Sequence, residues 1–377
     1  MDRIKSIIEI VVLCLICASI MSVFSVTSVS ASGEEGGYML MYKHILWITI
    51  SLFGFFIARH IDYYYLKQHS TLLFSISILL LILVLIPGIG TKVNGARRWI
   101  RMGGFGFQPS EIMKITLFVF IADFLSRRQA HMNKFFSGFV LPMFLIGTCL
   151  SLIIVEPDIG TTFLIGAISI TLLFVAGIRL KHAVPVFLVT LPFVAYLIFT
   201  QFNHVKVRLV GFLCPELDPQ GSCYQLNQSL IALGSGGLLG NGIGNSIQKL
   251  YFLPASSNDF IFSIIGEEFG FIGCSLIILL FAAFLYCGMK IALNCSDLFG
   301  MLLALALTLC ISLEAAIHIG VATGSLPTKG LSLPFISTGG SALFISIVQA
   351  GILVNIAQSN ELRNTALGAE RIYEQES

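Results

Sequence analysis

Three carboxylates lie in the mostly apolar stretch SSNDFIFSIIGEEFGFIG, residues 256–273. Asp259 opens the apolar run, and Glu267 and Glu268 follow about two helical turns later. An acid in the first turn of a helix is stabilised by up to about 1 kcal/mol, so a capping acid is the simplest interpretation of Asp259, and a functional acid is the alternative. Ionisable groups inside a membrane face the protein interior and pair there, so Glu267 and Glu268 form a structural pair, bind a cation or tune Asp259.

Basic residues dominate a second stretch, VNGARRWIRMGGFGFQPSEIMK. Guanidinium groups bind phosphate oxygens in a bidentate manner, so Arg97 and Arg98 predict an anion site; contact with lipid headgroups is the simpler alternative. The segment QPSE starts a helix in which Lys114 follows Glu111 at i+3, a spacing that lets the two side chains pair. A lysine within a membrane helix is either paired in this way or directed at a ligand.

Two more polar segments flank apolar runs. IIVEPDIGTT places Glu156 and Asp158 at a turn, where they are ordinary turn acids, a cation site or groups that orient Arg98. HIGVATGSLPTKGLSLPFISTGGSAL places Lys329 in a proline-interrupted segment, and irregular backbone is tolerated at membrane depth only where it lines protein or water. His318 fits a satisfied interior histidine better than a catalyst.

The elements that position these residues are membrane helices. Of 377 residues, 56% are hydrophobic and only 11% are charged, whereas about a quarter of a soluble domain is charged. A membrane span needs about 20 apolar residues. We therefore predict an all-α polytopic membrane protein, a single domain over residues 1–377 with roughly ten transmembrane helices. The predicted spans are 7–29, 44–60, 71–88, 109–125, 138–155, 160–178, 183–201, 260–290, 299–321 and 340–358.

Lys and Arg in the loops predict the orientation. With an even number of spans and the N-terminus inside, both termini are cytoplasmic, including the tail 360–377. Twelve basic residues then lie inside and nine outside, and four of those nine fall between 92 and 101. Basic residues are expected mainly in cytoplasmic loops, so this concentration on the outer side favours a local anion site. The same topology places the loop 202–258, between the seventh and eighth spans, outside the membrane.

This outer loop is long enough to be functional. Tyr224–Leu233 has the pattern of a short amphipathic helix, and six glycines follow between 234 and 244. No strand and no GKS or GKT ending accompanies them, so we expect a tightly turning loop whose backbone approaches its neighbours closely, not a nucleotide site. Cys214 and Cys223 either pair as a disulfide in an oxidising compartment or remain two thiols.

The candidate site residues are predicted to lie on the same side of the membrane. The outer ends of spans carry the acids Asp259, Glu156 and Asp158 and the cations Arg98, Lys114 and Lys329. Basic groups and a carboxylate at one membrane surface suit a phosphorylated, lipid-borne substrate.

At these segments the sequence resembles the SEDS family, the FtsW, RodA and SpoVE polytopic proteins of bacterial cell-wall biogenesis. The resemblance rests on several motifs in one order, and the LPTKGLSLP form is more similar to the division branch, typified by FtsW, than to RodA. It implies a peptidoglycan glycosyltransferase that polymerises lipid II at the outer face of the cytoplasmic membrane. The family's essential aspartate corresponds to Asp259 in NDFIF; Ala255 and Asn258 depart from the common pattern.

The resemblance also implies partners, namely a class B penicillin-binding transpeptidase and other division proteins, with membrane lipid around the chain and no nucleic acid. For the reaction we predict Asp259 as general base, and Arg98, Arg97, Lys114 and Lys329 with Glu111 around the pyrophosphate. A divalent cation, Mg²⁺ or Mn²⁺, is a further candidate for stabilising the leaving group. Two alternatives remain open: a lipid II flippase, and a non-catalytic scaffold of the division machinery.

Overall fold

A computed structural model describes residues 2–30, 36–93, 96–102, 105–132, 134–178, 188, 212, 223–249 and 258–376. These residues form a helical bundle with one small antiparallel sheet. The helices are α1 (Asp2–Ser30), α2 (Gly36–His60), α3 (Tyr63–Gln68), α4 (Ser70–Leu85), α5 (Pro109–Arg127), α6 (Leu141–Val155, preceded by a π-helical turn, Phe135–Val140), α7 (Ile159–Val175), α8 (Tyr224–Ser235), α9 (Ile261–Leu293), α10 (Leu298–Ala322) and α11 (Gly340–Glu376). The strands are β1 (Gly90–Val93), β2 (Ala96–Met102) and β3 (Phe105–Phe107).

Nine of the ten predicted spans coincide with helices, and the tenth, 183–201, lies outside the described residues except for residue 188. Helices α1, α2, α6, α9, α10 and α11 include segments long and apolar enough to cross a membrane, and α4 and α7 are shorter apolar helices. Helix α5 differs because four charged residues lie on it. Helices α10 and α11 are the most buried spans. They form the centre of one continuous apolar core.

The three-stranded sheet, which lies between the predicted spans 71–88 and 109–125, was not predicted from the sequence. β2 is the middle strand, antiparallel to β1 and β3. The sequence signal was present: β1 and β2 flank Asn94-Gly95, a dipeptide typical of tight hairpins. The sheet lies between the end of α4 and the start of α5, and this end of the bundle is called the sheet end below.

Helix α9 is interrupted at Gly270, whose φ of 66° is non-helical. A break in a membrane helix frees backbone groups that water cannot satisfy. Here the glycine-rich segment 236–242 forms hydrogen bonds with the backbone groups that an uninterrupted helix would bond internally. Four hydrogen bonds make this exchange: Asn241 N to Glu267 O (2.9 Å), Gly242 N to Glu268 O (3.0 Å), Phe271 N to Gly237 O (2.9 Å) and Ile272 N to Leu238 O (3.3 Å).

Glycine is required where the two backbones meet. A Cβ on Gly236 would lie 2.0 Å from Gly266 O, and one on Gly240 would lie 2.1 Å from Glu268 O. The expected amphipathic helix is confirmed as α8, and so is the close backbone approach of the glycine segment behind it.

The opposite end of the bundle is joined by polar contacts between distant segments. Lys5 on α1 pairs with Glu361 on α11 at 2.8 Å, and Arg59 on α2 pairs with Glu9 on α1 at 2.7 Å. Asn355 accepts from Tyr63 N and donates to Arg59 O. Helix α11 is thereby fixed to the first three helices at the end remote from the sheet.

We predict that Gly236→Ala destabilises the protein by at least about 1–3 kcal/mol, the typical cost of overpacking. The added methyl would meet a backbone carbonyl, which cannot rotate away. Gly234→Ala is the matched control, because a Cβ there has no atom within 4 Å. Thermal unfolding in detergent measures both variants, and equal melting temperatures would refute the account of the kink.

Candidate active site

Asp259 lies in the turn 258–260, immediately before the N-cap residue of α9, Phe260. Asn258 Nδ2 donates to Asp259 Oδ1 at 2.8 Å, so the residue that departs from the family pattern orients the carboxylate. Ser337 Oγ donates to Asn258 O at 2.8 Å. The aspartate is therefore held against the segment 323–339, called the polar loop below, which connects α10 to α11.

Gly330 in the polar loop faces the carboxylate directly. A Cβ at this position would lie 3.1 Å from Asp259 Oδ2 and 3.7 Å from Oδ1. A side chain here would therefore press on the acid, and glycine lets the loop backbone lie against it. Lys329 directly precedes Gly330 in this loop.

The Lys329 ammonium lies over the Phe163 ring of α7, 4.9 Å from its centroid. Burial lowers the pKa of Lys329. Leu331 packs on Gly160 in the first turn of α7, with 3.2 Å between its Cγ and the position of a glycine Cβ. These contacts connect the polar loop to the start of α7 and hence to the acidic turn before it.

Arg98 is the extra residue of a β-bulge. On β1, Thr91 pairs with Trp99 and its neighbour Lys92 pairs with Arg97, which leaves Arg98 without an opposite residue. Bulges redirect a side chain out of the regular pleat. The guanidinium reaches the turn between α6 and α7, where Nε donates to Glu156 O at 2.7 Å and Nη2 donates to Pro157 O at 2.6 Å.

Asp158 is the N-cap of α7. Its carboxylate accepts from Thr161 N at 3.2 Å and from Thr161 Oγ1 at 2.9 Å. Gln108, just before α5, donates to the same carboxylate at 3.1 Å. Asp158 therefore fixes the acidic turn to both α7 and α5, a structural task that matches the simpler interpretation of this acid.

Glu156 is fully buried, and neither carboxylate oxygen has a hydrogen-bond partner among the described residues. It lies just beyond the apolar segment that ends at Val155. Burial raises the pKa of Glu156 to about 8; the nearby Asp158 also raises it, and Arg98 lowers it. The carboxyl is therefore mostly protonated at neutral pH.

Lys114 occupies the centre of a buried ion triad. Its ammonium lies 2.8 Å from Glu111 Oε2 and 3.0 Å from Glu314 Oε1, and all three side chains are at most 7% exposed. The Glu111–Lys114 pair is the one that the i+3 spacing predicted. Glu314 on α10 was not singled out from the sequence, although an acid inside a membrane span is itself a signal that a buried cation is near.

Glu267 and Glu268 contact a different part of the protein. Glu267 accepts from Ile247 N at 2.8 Å and from Ser246 Oγ. Glu268 pairs with Lys249 at 2.9 Å and accepts from Ser25 Oγ of α1. These contacts anchor the end of the glycine-rich segment to α9 and α1, and they match the structural-pair interpretation.

The remaining candidates are placed less specifically. Arg97 pairs with Lys92 across the hairpin and is half-buried. Cys223 precedes α8, but Cys214 and Ala255 lie outside the described residues, so the structure leaves the disulfide prediction open. Within the described ranges, no group of three or more His, Cys, Asp or Glu side chains is arranged to hold a metal ion. Asp158 already uses both of its oxygens for protein contacts.

The cations differ in how far their charge is neutralised. Lys114 lies between two carboxylates, whereas Arg98 contacts carbonyl oxygens and Lys329 contacts an aromatic ring. Among the residues that the structure describes, no carboxylate lies within ion-pair distance of Arg98 or Lys329. Arg98 and Lys329 therefore have charge to offer an anionic ligand at the sheet end. So do the basic residues of the sheet for which the described residues likewise give no ion pair, namely Lys92, Arg97 and Arg101.

Three comparisons bear on this arrangement. The family model FTSW_RODA_SPOVE, described as "Cell cycle protein", matches residues 5–362. The probable peptidoglycan glycosyltransferase FtsW of Geobacter sp. (strain M18) is 38% identical over 337 residues, 89% of this chain and 91% of the relative. Stage V sporulation protein E of Bacillus subtilis (strain 168) is 39% identical over 324 residues, 86% of this chain and 88% of the relative.

A solved structure shares the architecture. One chain of a peptidoglycan synthase complex, whose structure concerns the coordination of polymerization and crosslinking, superposes with a TM-score of 0.75. The two are 26% identical, and the match covers 93% of this chain and 97% of the other.

We predict that Lys114→Met destabilises the protein by about 3–5 kcal/mol, because it leaves two buried carboxylates without a counter-charge. Adding Glu111→Gln and Glu314→Gln removes those charges and should restore most of the loss. Melting temperatures in detergent test both statements. A single variant as stable as the wild type, or a triple variant no more stable than the single one, contradicts the triad.

Glu156 predicts a pH-dependent stability. The pKa of Glu156 in the folded protein, about 8, is above the ordinary value of 4.5. The contribution of this carboxyl to the free energy of unfolding is therefore fully present below about pH 4.5 and is lost as the pH rises toward 8. Glu156→Gln should therefore gain stability over the wild type between about pH 5 and 8, by up to roughly 1.4 kcal/mol per pH unit. Parallel melting curves across this range would show that the carboxyl is not held protonated.

Proposed function

Because the chain belongs to the FtsW/RodA/SpoVE family of cell cycle proteins, we propose that it is a peptidoglycan glycosyltransferase. It polymerises lipid II into glycan strands at the outer face of the cytoplasmic membrane during cell division. Asp259 is the general base. Relatives named as probable peptidoglycan glycosyltransferases support the activity.

One observation supports the assignment of Asp259: the polar loop places Gly330 against its carboxylate, and Lys329 precedes Gly330 in the chain. The loop continues through Leu331 to the first turn of α7. That turn follows the residues whose carbonyls bind Arg98. An acid and two cations with charge to offer thus belong to one connected set of contacts at the sheet end.

The reaction requires a sugar hydroxyl of one substrate to attack the anomeric carbon of the other. The new bond joins the hydroxyl oxygen to that carbon, and the bond from the carbon to the pyrophosphate oxygen breaks. Asp259 accepts the hydroxyl proton, a contribution worth about 10²–10⁴-fold in rate. Attack from the face opposite the leaving group inverts the anomeric centre, as in inverting glycoside chemistry.

The polyprenyl pyrophosphate leaves with negative charge that cationic side chains stabilise. Arg98 and Lys329 suit this role because, in the part of the chain that the structure describes, no carboxylate lies within ion-pair distance of either. Lys114 contributes by holding α5 to α10, and Arg97 is assigned to the outer rim of the anion site. A divalent cation would supply further charge stabilisation, but the described residues do not form a metal cluster, so no step is assigned to one.

The proposal includes a partner and an orientation. The similar chain comes from a complex concerned with polymerization and crosslinking, which supports a crosslinking transpeptidase of the penicillin-binding class as partner. The helical composition makes the chain a multi-pass membrane protein. We place the sheet end outside and both termini in the cytoplasm, because lipid II is polymerised on the outer surface.

A flippase for lipid II and a non-catalytic scaffold are the competing functions. A flippase needs polar groups along a path through the bilayer. The cations with available charge instead lie at the sheet end. The charge of Lys114, further along α5, is neutralised by Glu111 and Glu314. A scaffold requires no acid at position 259.

We predict that Asp259→Asn abolishes glycan-strand synthesis from lipid II by the purified protein, assayed with its cognate transpeptidase. The isosteric amide cannot accept the proton but keeps the shape of the turn. Asp297→Asn is the matched control at the opposite end, where Asp297 caps α10 and asparagine caps equally well; it should retain activity.

The same assay separates the alternatives. Strands made by Asp259→Asn would exclude Asp259 as the base and favour a scaffold if division also continues in cells. Lipid translocation in vesicles without any polymer from the wild-type protein would favour the flippase.

A further inference from the structure

We propose that His318 is a positioning residue for the polymerisation reaction: it fixes the polar loop so that Gly330 and Lys329 stay in place around Asp259. The inference rests on the proposed function for its catalytic consequence. Its structural part, the anchoring of the loop by the imidazole, stands independently and has its own measurement.

The hydrogen bond assigns the state of the ring. His318 Nδ1 lies 2.7 Å from Leu331 O. A carbonyl oxygen can only accept, so Nδ1 carries the proton. Nε2 has no hydrogen-bond partner among the described residues, and the side chain is 1% exposed. The imidazole thus makes one directed contact, to the loop backbone, from a buried position on α10.

This contact lies where the loop has least internal support. Residues 327–333 form neither helix nor strand. Before them, Ser325 N and Leu326 N bond to Gly320 O, and after them Ile336 N and Ser337 N bond to Leu333 O. The bond from His318 reaches the loop between these two hydrogen-bonded ends.

The anchored residue is adjacent to the site. Leu331 directly follows Gly330, which faces the Asp259 carboxylate, and lies two residues after Lys329. Any shift of the Leu331 carbonyl therefore moves both groups. Misplacing catalytic groups by about 1 Å can cost on the order of 10²-fold in rate, so a lost anchor should be visible in catalysis.

The anchor itself lies on a rigid element. α10 is largely buried, and Glu314, one turn before His318, pairs with Lys114 of α5. Residues at i and i+4 lie on the same face of a helix. This face of α10 thus contacts α5 through Glu314 and the polar loop through His318. The helix therefore gives His318 a fixed position from which to hold the loop.

Two substitutions separate the two ring nitrogens. In His318→Asn the amide nitrogen is the same number of bonds from Cα as Nδ1 and can still donate to Leu331 O. In His318→Gln the amide nitrogen takes the place of Nε2, one bond further out, and misses that carbonyl. Both variants lose the ring, so they share the packing defect and differ in the anchor.

The experiment measures lipid II polymerisation and hydrogen–deuterium exchange of segment 323–333 in the wild type and in both variants. We expect His318→Asn to keep kcat within about threefold and His318→Gln to lose on the order of 10–100-fold. The two variants should have similar melting temperatures. Exchange in segment 323–333 should be faster in His318→Gln than in His318→Asn.

Three results would overturn the inference: equal losses of activity in both variants, an active Gln variant beside an inactive Asn variant, which would assign the role to Nε2, or unchanged exchange in all three proteins. If no protein, wild type included, makes polymer, the proposed function fails. Faster exchange confined to the Gln variant would then still establish the anchor.

Discussion

The Lys114 ammonium between Glu111 and Glu314 is the interaction on which the sheet end depends. A charge inside a membrane bundle must find its counter-charge in the protein, and this triad joins α5 to α10 at a buried point. α5 follows the sheet that carries Arg98, and α10 leads into the loop that carries Lys329. The triad therefore joins the helix that follows the sheet to the helix that precedes the polar loop.

The same constraint governs the irregular backbone. The break at Gly270 persists because the glycine-rich segment supplies four hydrogen bonds in place of helical ones. Two acids in the same helix, Glu267 and Glu268, then hold the end of that segment. An acid in a membrane helix is costly, and here each one binds non-helical chain, Glu267 at Ile247 and Glu268 at Lys249. The N-terminal part of α9 thus holds both Glu267 and Glu268, and the turn with Asp259 precedes it.

Much of this organisation could be predicted because its causes are local. Apolar run length predicted the spans, the i+3 spacing predicted the Glu111–Lys114 pair, and glycine density predicted a close backbone approach. The sheet was missed although the Asn94-Gly95 signal was present, because strands of 4, 7 and 3 residues are too short to show a clear period-2 pattern. Glu314 was missed because its partner is 200 residues away in the chain, and spacing carries no information at that separation.

The sequence by itself determined that the chain spans a membrane many times and that acids and cations recur at the ends of its spans. Composition and run length decide these points, since each segment meets the bilayer separately. Only the tertiary structure decided which cation is neutralised, which acid is buried without a partner, and that a histidine on α10 holds the loop beside Asp259. These outcomes depend on contacts between distant segments, and the packing of helices, not their sequence order, brings those segments together.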